Sequence, residues 1–157
     1  MHNLIEGNLS ASGFKFGIIA PRFNDFINEK LIGGSLDYLI RSGAKESDIT
    51  VVRVPGAFEI PTTAKIMAES KKYDGLICLG TLIRGETTHF DLLSNQVAKM
   101  ISELSAAFSI PIAYGIITSE SIEQAISRAG SKMGNKGFEA AMAAVEMVTL
   151  FSKLKTK

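Results

Sequence analysis

Four short apolar segments of β-type residues constrain the fold of this chain more than any other feature. They are residues 14–20, 49–54, 75–79 and 112–117. Each segment is nearly continuous in apolar residues rather than alternating, a pattern typical of strands buried on both faces of a parallel sheet. We therefore expect a four-stranded parallel sheet at the centre of the molecule.

Segments with a helical spacing of apolar residues lie between and after these strands. The spacing predicts three crossover helices, a short fourth helix and a long last helix, at 24–42, 60–70, 90–108, 121–129 and 138–154. Gly43 follows the first helix, where a left-handed C-cap is expected, and Ser121 and Gln124 have the spacing of a capping box. The order of these segments predicts an α/β protein, a three-layer α/β/α sandwich around the sheet.

Length and composition restrict the class of protein further. The 157 residues fit one domain, with an N-terminal segment (1–13) before a core (14–154). A net charge of +1 argues against a general nucleic-acid binder. One cysteine and two histidines without CxxC or HExxH spacing argue against a protein-bound zinc or haem. Since neither a membrane span nor a secretory signal is recognised, we expect a cytoplasmic protein without a cofactor.

The predicted sheet indicates where a ligand would bind. In such sheets the site lies outside the carboxyl ends of the strands, so the loops at 21–24, 55–59 and 80–89 should open on one edge. The third loop contains Gly85, Thr87 and Thr88 just before a helix, whose free N–H groups and positive dipole end suit an anion, although a plain connection would have the same composition. No GxxxxGK(S/T) sequence occurs, which argues against nucleotide triphosphate hydrolysis.

Charged and titratable residues near these loops are candidates for chemistry. His89 is the only histidine outside the N-terminal segment, and its imidazole suits proton transfer, while a capping or surface role is the alternative. Asp91 would orient His89 only if the helix start bends. Arg128 and Lys136 flank a glycine-rich stretch and supply two cations for a phosphorylated ligand, with nearby Lys132 as a competitor and a solvated surface as the alternative.

Aromatic and other side chains give weaker indications. Phe23 and Phe58 are placed to cover a planar heterocycle, with plain packing as the alternative. Glu59 follows Phe58 and offers a carboxylate to ligand hydroxyls. Cys78 lies in an apolar run and is interpreted as a buried small hydrophobe, and Arg84 as a candidate structural ion-pair partner.

Four sequence motifs occur in order along the chain. They are RFN at 22–24, VPGAFEIP at 54–61, LGTLIRGETTHFD at 79–91 and RAGSKMGNKGFEAA at 128–141. Because it has these four motifs in this order and spacing, the chain closely resembles the lumazine synthase family from about residue 14 to residue 150. The resemblance implies a flavodoxin-like fold and a metal-free condensation in riboflavin biosynthesis. The family joins 5-amino-6-(D-ribitylamino)uracil to 3,4-dihydroxy-2-butanone 4-phosphate and releases 6,7-dimethyl-8-ribityllumazine, phosphate and water.

The resemblance also implies roles for individual residues. His89 matches the proton-transfer residue of the family. Residues expected to bind the ribitylaminouracil are Phe23, Asn24, Ala57, Phe58, Glu59, Thr81, Leu82, Ile83, Tyr114 and Lys136. Residues expected to bind the butanone phosphate are Glu86, Thr87, Arg128 and Lys136. Tyr114 stands where the family more often has Phe, and its hydroxyl needs a partner or water.

The resemblance further implies an assembly, because sites of the family lie between neighbouring subunits. Its members form pentamers, some of which pair or close into icosahedral shells, with riboflavin synthase as a candidate partner. A hydrophobic content of 46% and a mean hydropathy of +0.19 are consistent with apolar subunit interfaces.

Two alternatives to the lumazine synthase function stay open. They are an archaeal-type riboflavin synthase, which dismutates the lumazine, and a non-catalytic shell protein that binds lumazine or flavin.

Overall fold

The structure is a computed structural model that describes residues 1–130 and 134–156. Its strands are β1 (Phe16–Pro21), β2 (Ile49–Val54), β3 (Gly75–Ile83) and β4 (Ile112–Ser119). Its helices are α1 (Asp25–Arg41), α2 (Ile60–Glu69), α3 (His89–Phe108), α4 (Ile122–Arg128) and α5 (Lys136–Lys155). The predicted order of strands and helices is confirmed. Within the described ranges, no helix has the length and apolar content of a membrane span.

The four strands form one parallel sheet in the order β2-β1-β3-β4. The central strands β1 and β3 are buried almost throughout, as predicted. For the edge strands the same prediction is wrong, since Val51 on β2 and Tyr114 on β4 are 38% and 42% exposed. An edge strand lies at the margin of the helical layers, and β2 packs chiefly against β1, so side chains on its faces are less covered than those of a central strand.

Two apolar cores lie on opposite faces of the sheet. Neighbouring residues of a strand point to opposite faces, so Ile18 of β1 belongs to one core and Ile19 to the other. Helices α1, α4 and α5 contribute to the first core, and α2 and α3 contribute to the second. These layers are the predicted α/β/α sandwich.

Strand β3 is longer than predicted. The sequence predicts an end at residue 79, because Gly80 and Thr81 interrupt the apolar run. In the structure the segment Gly80–Ile83 continues the pairing with β4. Thr81 is only 3% exposed, and its hydroxyl donates a hydrogen bond to the side-chain oxygen of the buried Asn28. Because a partner satisfies the hydroxyl, the strand carries a polar residue through its interior, and the loop is shortened to 84–88.

Two predicted helix caps are present, one in an altered form. Gly43 has a φ of 111° and donates its N–H to the carbonyl oxygen of Ile40, as expected of a left-handed C-cap. The Ser121 hydroxyl accepts the N–H of Gln124. The side-chain oxygen of Gln124 accepts the N–H of Glu120. In a standard capping box it would accept the N–H of Ser121, so this bond is shifted by one residue toward the N-terminus.

Helices α1 and α5 approach each other closely at Gly137. A Cβ built on Gly137 would lie 2.0 Å from the carbonyl oxygen of Leu31. Beside this contact, the buried Ser35 hydroxyl donates to the carbonyl oxygen of Gly137 at 2.7 Å. The two backbones approach because Gly137 has no side chain, and this approach fixes where α5 begins.

We expect Gly137→Ala to lower the free energy of unfolding by about 2 kcal/mol or more, because the added methyl group would force the two backbones apart. Gly33→Ala is the matched control. It lies within α1, and a Cβ built there meets no heavy atom within 4 Å. That control should be neutral or stabilising by up to about 1 kcal/mol. Denaturant titration of both variants measures the difference, and equal stabilities would contradict the prediction.

Candidate active site

A cleft of about 500 Å³ lies at the carboxyl end of the sheet. Its walls come from the loops that follow β1 and β2 and from the end of β3 with the start of α3, so the three predicted loops do open on one edge. The structure brings together these predicted site residues: Phe23, Asn24, Ala57, Phe58, Glu59, Thr81, Leu82, Ile83, Thr87 and His89. We call this space the first cleft.

Two phenyl rings at the first cleft are largely uncovered. Phe23 is 72% exposed and Phe58 is 77% exposed, so plain packing against the core is excluded for both rings. Phe23 precedes α1, so its ring does not belong to the buried face of that helix. Large exposed apolar side chains beside a cleft suit stacking on a flat ligand.

Hydrogen bonds attach the loop after β1 to β3. Asn24 has a left-handed conformation, with φ 65° and ψ 42°, and its side-chain N–H₂ donates to the carbonyl oxygen of Thr81 at 3.0 Å. Asn28 is fully buried, and its side-chain N–H₂ donates to the carbonyl oxygens of Pro21 and Phe23 at 2.9 and 2.7 Å. The Asn28 side-chain oxygen accepts the Thr81 hydroxyl at 2.8 Å. The loop is therefore connected to the strand by both asparagines.

Sequence reasoning missed Asn28. An indication was available, because Asn28 stands three and four residues before Leu31 and Ile32 on a face of α1 that is mainly apolar. An amide on such a face needs partners, since a buried polar group without hydrogen bonds is costly. Which groups it would bond could not be deduced, because Thr81 lies 53 residues away in the sequence.

The start of α3 forms the opposite wall of the first cleft. His89 is the first residue of this 20-residue helix, and its N–H donates to the Thr87 hydroxyl at 3.3 Å. His89 and Thr87 both line the cleft, whereas Glu86 lies in the exposed loop beside it. The positive end of the helix dipole is thus directed at the first cleft, which favours an anion there.

Arg84 is an ion-pair partner, as one interpretation of the sequence predicted. Two of its guanidinium nitrogens donate to the carboxylate of Asp91 at 3.0 and 3.1 Å, and its Nε donates to Glu120 at 2.8 Å. The hydrogen bonds with Asp91 raise the pKa of Arg84. The guanidinium also lies 4.5 Å from the centre of the Phe90 ring. The Asp91 carboxylate thus pairs with Arg84 rather than with the His89 ring.

A second, more polar cleft contains two further predicted residues. Tyr114 and Arg128 line it together with Glu120, and Phe90 lines both clefts. One guanidinium nitrogen of Arg128 donates to the carbonyl oxygen of Thr118 at 2.9 Å. Burial of its ring raises the pKa of Tyr114, although the residue remains 42% exposed. A single chain therefore does not bring Tyr114 and Arg128 into the first cleft.

Lys136 lies apart from both clefts. It is the first residue of α5 and exposed, and among the described residues it lines neither cleft. Asn135, just before it, caps α5 through the N–H of Phe138 and donates to the carbonyl oxygens of Lys30 and Ala129. The competing Lys132 lies outside the described residues.

Two observations concern metal and thiol chemistry. Residues 1–130 and 134–156 contain no group of three or more His, Cys, Asp or Glu side chains arranged to hold a metal ion. Cys78 is fully buried, and burial raises the pKa of its thiol to about 12. A neutral, inaccessible thiol is not a nucleophile, so the interpretation of Cys78 as a small hydrophobe is confirmed.

Together these features define an α/β sandwich protein of the flavodoxin-like type, with an open cleft at the carboxyl end of its sheet. A family model described as 6,7-dimethyl-8-ribityllumazine synthase matches residues 13–152. Relatives with that name from Desulfotalea psychrophila and Desulfatibacillum aliphaticivorans are each 56% identical over 155 residues, 99% of this chain and 100% of each relative. The chain belongs to the 6,7-dimethyl-8-ribityllumazine synthase family. The predicted family and enzyme class, a transferase of riboflavin biosynthesis, are confirmed.

The buried thiol predicts a pH dependence of stability. Because the folded-state pKa of Cys78 is raised from 9.0 to about 12, the unfolded chain releases this proton first, and stability falls as pH rises above about 9. The stability difference between the wild type and Cys78→Ala should therefore shrink by about 1.4 kcal/mol from pH 8 to pH 10. Denaturant titrations at both pH values measure it. A constant difference would show that the thiol ionises equally easily in both states.

Proposed function

We propose that this chain condenses 5-amino-6-(D-ribitylamino)uracil with 3,4-dihydroxy-2-butanone 4-phosphate, giving 6,7-dimethyl-8-ribityllumazine, phosphate and water. The observation that carries the proposal is the first cleft, where two exposed phenyl rings, a carboxylate, a histidine and a helix N-terminus meet in a member of this family. Family membership favours this activity over an archaeal-type riboflavin synthase or a non-catalytic lumazine-binding shell protein.

The proposed seat of the ribitylaminouracil is the part of the first cleft nearest β1 and β2. Phe23 stacks on the pyrimidine, and its exposed ring leaves a free face for that contact. Glu59 accepts hydrogen bonds from ribityl hydroxyls, since it is half-buried and lines the cleft at the start of α2. The remaining contacts to this substrate are assigned to Asn24, Ala57, Phe58, Thr81, Leu82 and Ile83, and to Tyr114 and Lys136.

The proposed seat of the phosphate is the N-terminus of α3. Backbone N–H groups at Glu86 and Thr87 approach the anion, with the helix dipole behind them. Arg128 clamps the phosphate, and Lys136 assists as a point charge. Since Arg128 lies in the second cleft of its own chain, this role requires a neighbouring subunit to present it.

His89 is the proposed proton-transfer residue. An amine attacks the ketone, water leaves, phosphate is eliminated and the ring closes, and each of these steps moves a proton. A group correctly placed for such transfers contributes about 10²- to 10⁴-fold. His89 lines the first cleft at the helix end assigned to phosphate, which places an imidazole beside both reactants. Holding the two substrates together supplies a further part of the acceleration.

The proposed assembly is a pentamer in which each active site joins the first cleft of one subunit to Arg128 and Tyr114 of the next. Two separate half-sites on one chain, with Tyr114 uncovered on an edge strand, support this arrangement.

We further propose that pentamers close into an icosahedral shell in the cytoplasm, with riboflavin synthase as a candidate partner. The motif behind the shell includes residues 131–133, which lie outside the described residues. Sedimentation velocity separates a lone pentamer from a shell.

Mixing the purified protein with both substrates should yield fluorescent lumazine and free phosphate. His89→Ala should slow turnover by about 10²-fold, the lower end of the contribution of a proton-transfer group, because proximity of the substrates remains. Arg128→Ala should mainly raise KM for the butanone phosphate. Steady-state kinetics with each substrate varied in turn measure these effects. The absence of product from active substrates would contradict the proposed function, and wild-type kinetics in Arg128→Ala would contradict the phosphate assignment.

A mixed assembly tests whether the site is shared. Arg128→Ala and the double variant Glu59→Ala/His89→Ala damage different half-sites, so co-assembly should recreate intact sites at about a quarter of the interfaces. Activity after joint refolding should therefore exceed that of either variant refolded alone. Simple mixing without refolding is the control. No recovery in a confirmed mixed assembly would place both halves of the site on one chain.

A further inference from the structure

We propose that Asn28 is a positioning residue for the pyrimidine substrate. Its buried amide holds the loop that carries Phe23 and Asn24 in the orientation required for stacking. The inference rests on the proposed function, because it concerns the substrate assigned to Phe23. No ligand contact is needed from Asn28 itself, since the residue is fully buried behind the loop.

The hydrogen bonds of Asn28 match the capacity of its side chain. The two N–H groups of the amide donate to the carbonyl oxygens of Pro21 and Phe23, on either side of the loop, at 2.9 and 2.7 Å. The side-chain oxygen accepts the Thr81 hydroxyl at 2.8 Å. One amide thus joins the end of β1, the loop and β3, and a side chain without two donors cannot make the same set of bonds.

A second asparagine connects the same loop and strand. Asn24 adopts the left-handed conformation, which for a residue other than glycine persists only where surrounding contacts maintain it. Its side-chain amide donates to the carbonyl oxygen of Thr81 at 3.0 Å, so the two asparagines bond to both the hydroxyl and the carbonyl of one residue. On the other side of the loop, the N–H of Phe23 donates to the carbonyl oxygen of Pro55 at 3.2 Å.

The Phe23 ring depends on this backbone framework for its position. With 72% of its surface exposed, the ring gains little from core packing that would fix it. Loss of the Asn28 amide would release the carbonyl of Phe23 while leaving the ring itself unchanged. Displacement of a substrate-contacting group by about 1 Å can cost up to about 10²-fold, so a loosened loop should weaken binding of the substrate that stacks there.

Ser35 provides a matched control on the same helix. It is fully buried in α1, and its hydroxyl donates to the carbonyl oxygen of Gly137 at 2.7 Å. Ser35→Ala therefore also removes a buried hydrogen bond of α1, but its partner belongs to α5 rather than to the loop. A purely structural role for Asn28 predicts that Asn28→Ala and Ser35→Ala differ in stability alone.

We expect Asn28→Ala to raise KM for the ribitylaminouracil by about 10-fold, with KM for the butanone phosphate within about twofold of wild type. Asn28→Ser, which keeps one buried donor, should show a smaller rise in the same direction. Ser35→Ala should leave KM for the ribitylaminouracil unchanged. An unchanged pyrimidine KM in folded Asn28→Ala, an equal rise in both KM values, or the same rise in Ser35→Ala would overturn the proposal.

A measurement without substrate separates this inference from the proposed function. The chain has no tryptophan, so Phe23→Trp introduces a single fluorescent reporter on the loop. Adding Asn28→Ala, or Asn28→Ser if the first double variant does not fold, should lower the anisotropy of that tryptophan, while adding Ser35→Ala should not. Unchanged anisotropy would refute the role of Asn28 even if the enzyme is active. A clear decrease would support the role even if wild type forms no lumazine.

Discussion

Burial of the central strands on both faces is the constraint from which the rest of the structure follows. Ile18 and Ile19 are adjacent on β1 and fully buried, yet they belong to cores on opposite faces of the sheet. A strand of this kind is stable only between two helical layers, so each connection crosses a face and all strands run in one direction. The carboxyl ends of the strands are thereby gathered at one edge, which creates the first cleft.

Local patterns were sufficient to predict the order of elements and the edge that holds the site. Apolar runs and helical spacing depend on neighbouring residues, and Gly43 marks a helix end by its own backbone geometry. Where the prediction was wrong, the deciding interaction was distant in sequence. Strand β3 continues through Thr81 because Asn28, from another element, satisfies its hydroxyl. The exposed edges of β2 and β4 likewise follow from strand order, which apolar runs do not encode.

The candidate site was predictable in part from residue chemistry and in part only from resemblance to a family. The loops and the helix end proposed to bind an anion follow from strand positions, and the structure brings His89 and Phe23 to one cleft. The role of Arg128 does not follow in that way, because within one chain it bonds to Thr118 in the second cleft. In the proposed shared site Arg128 acts in a neighbouring subunit, and such a residue leaves no pattern in the sequence around its own target. Assembly therefore limits what residue-level reasoning can locate.

The two phenyl rings of the first cleft explain why polar contacts hold the loop after β1. A ring that packs into the core is fixed by burial, but the same surface is then lost to a ligand. In its proposed stacking role Phe23 must remain uncovered, so its position has to be set through the backbone instead. Hydrogen bonds from buried amides suit this purpose, since they are directional and their partners would be costly to leave unpaired. The hydrogen bonds of the buried Asn28 thus hold the loop after β1 rigid, whereas hydrophobic packing would fix the ring only by covering it.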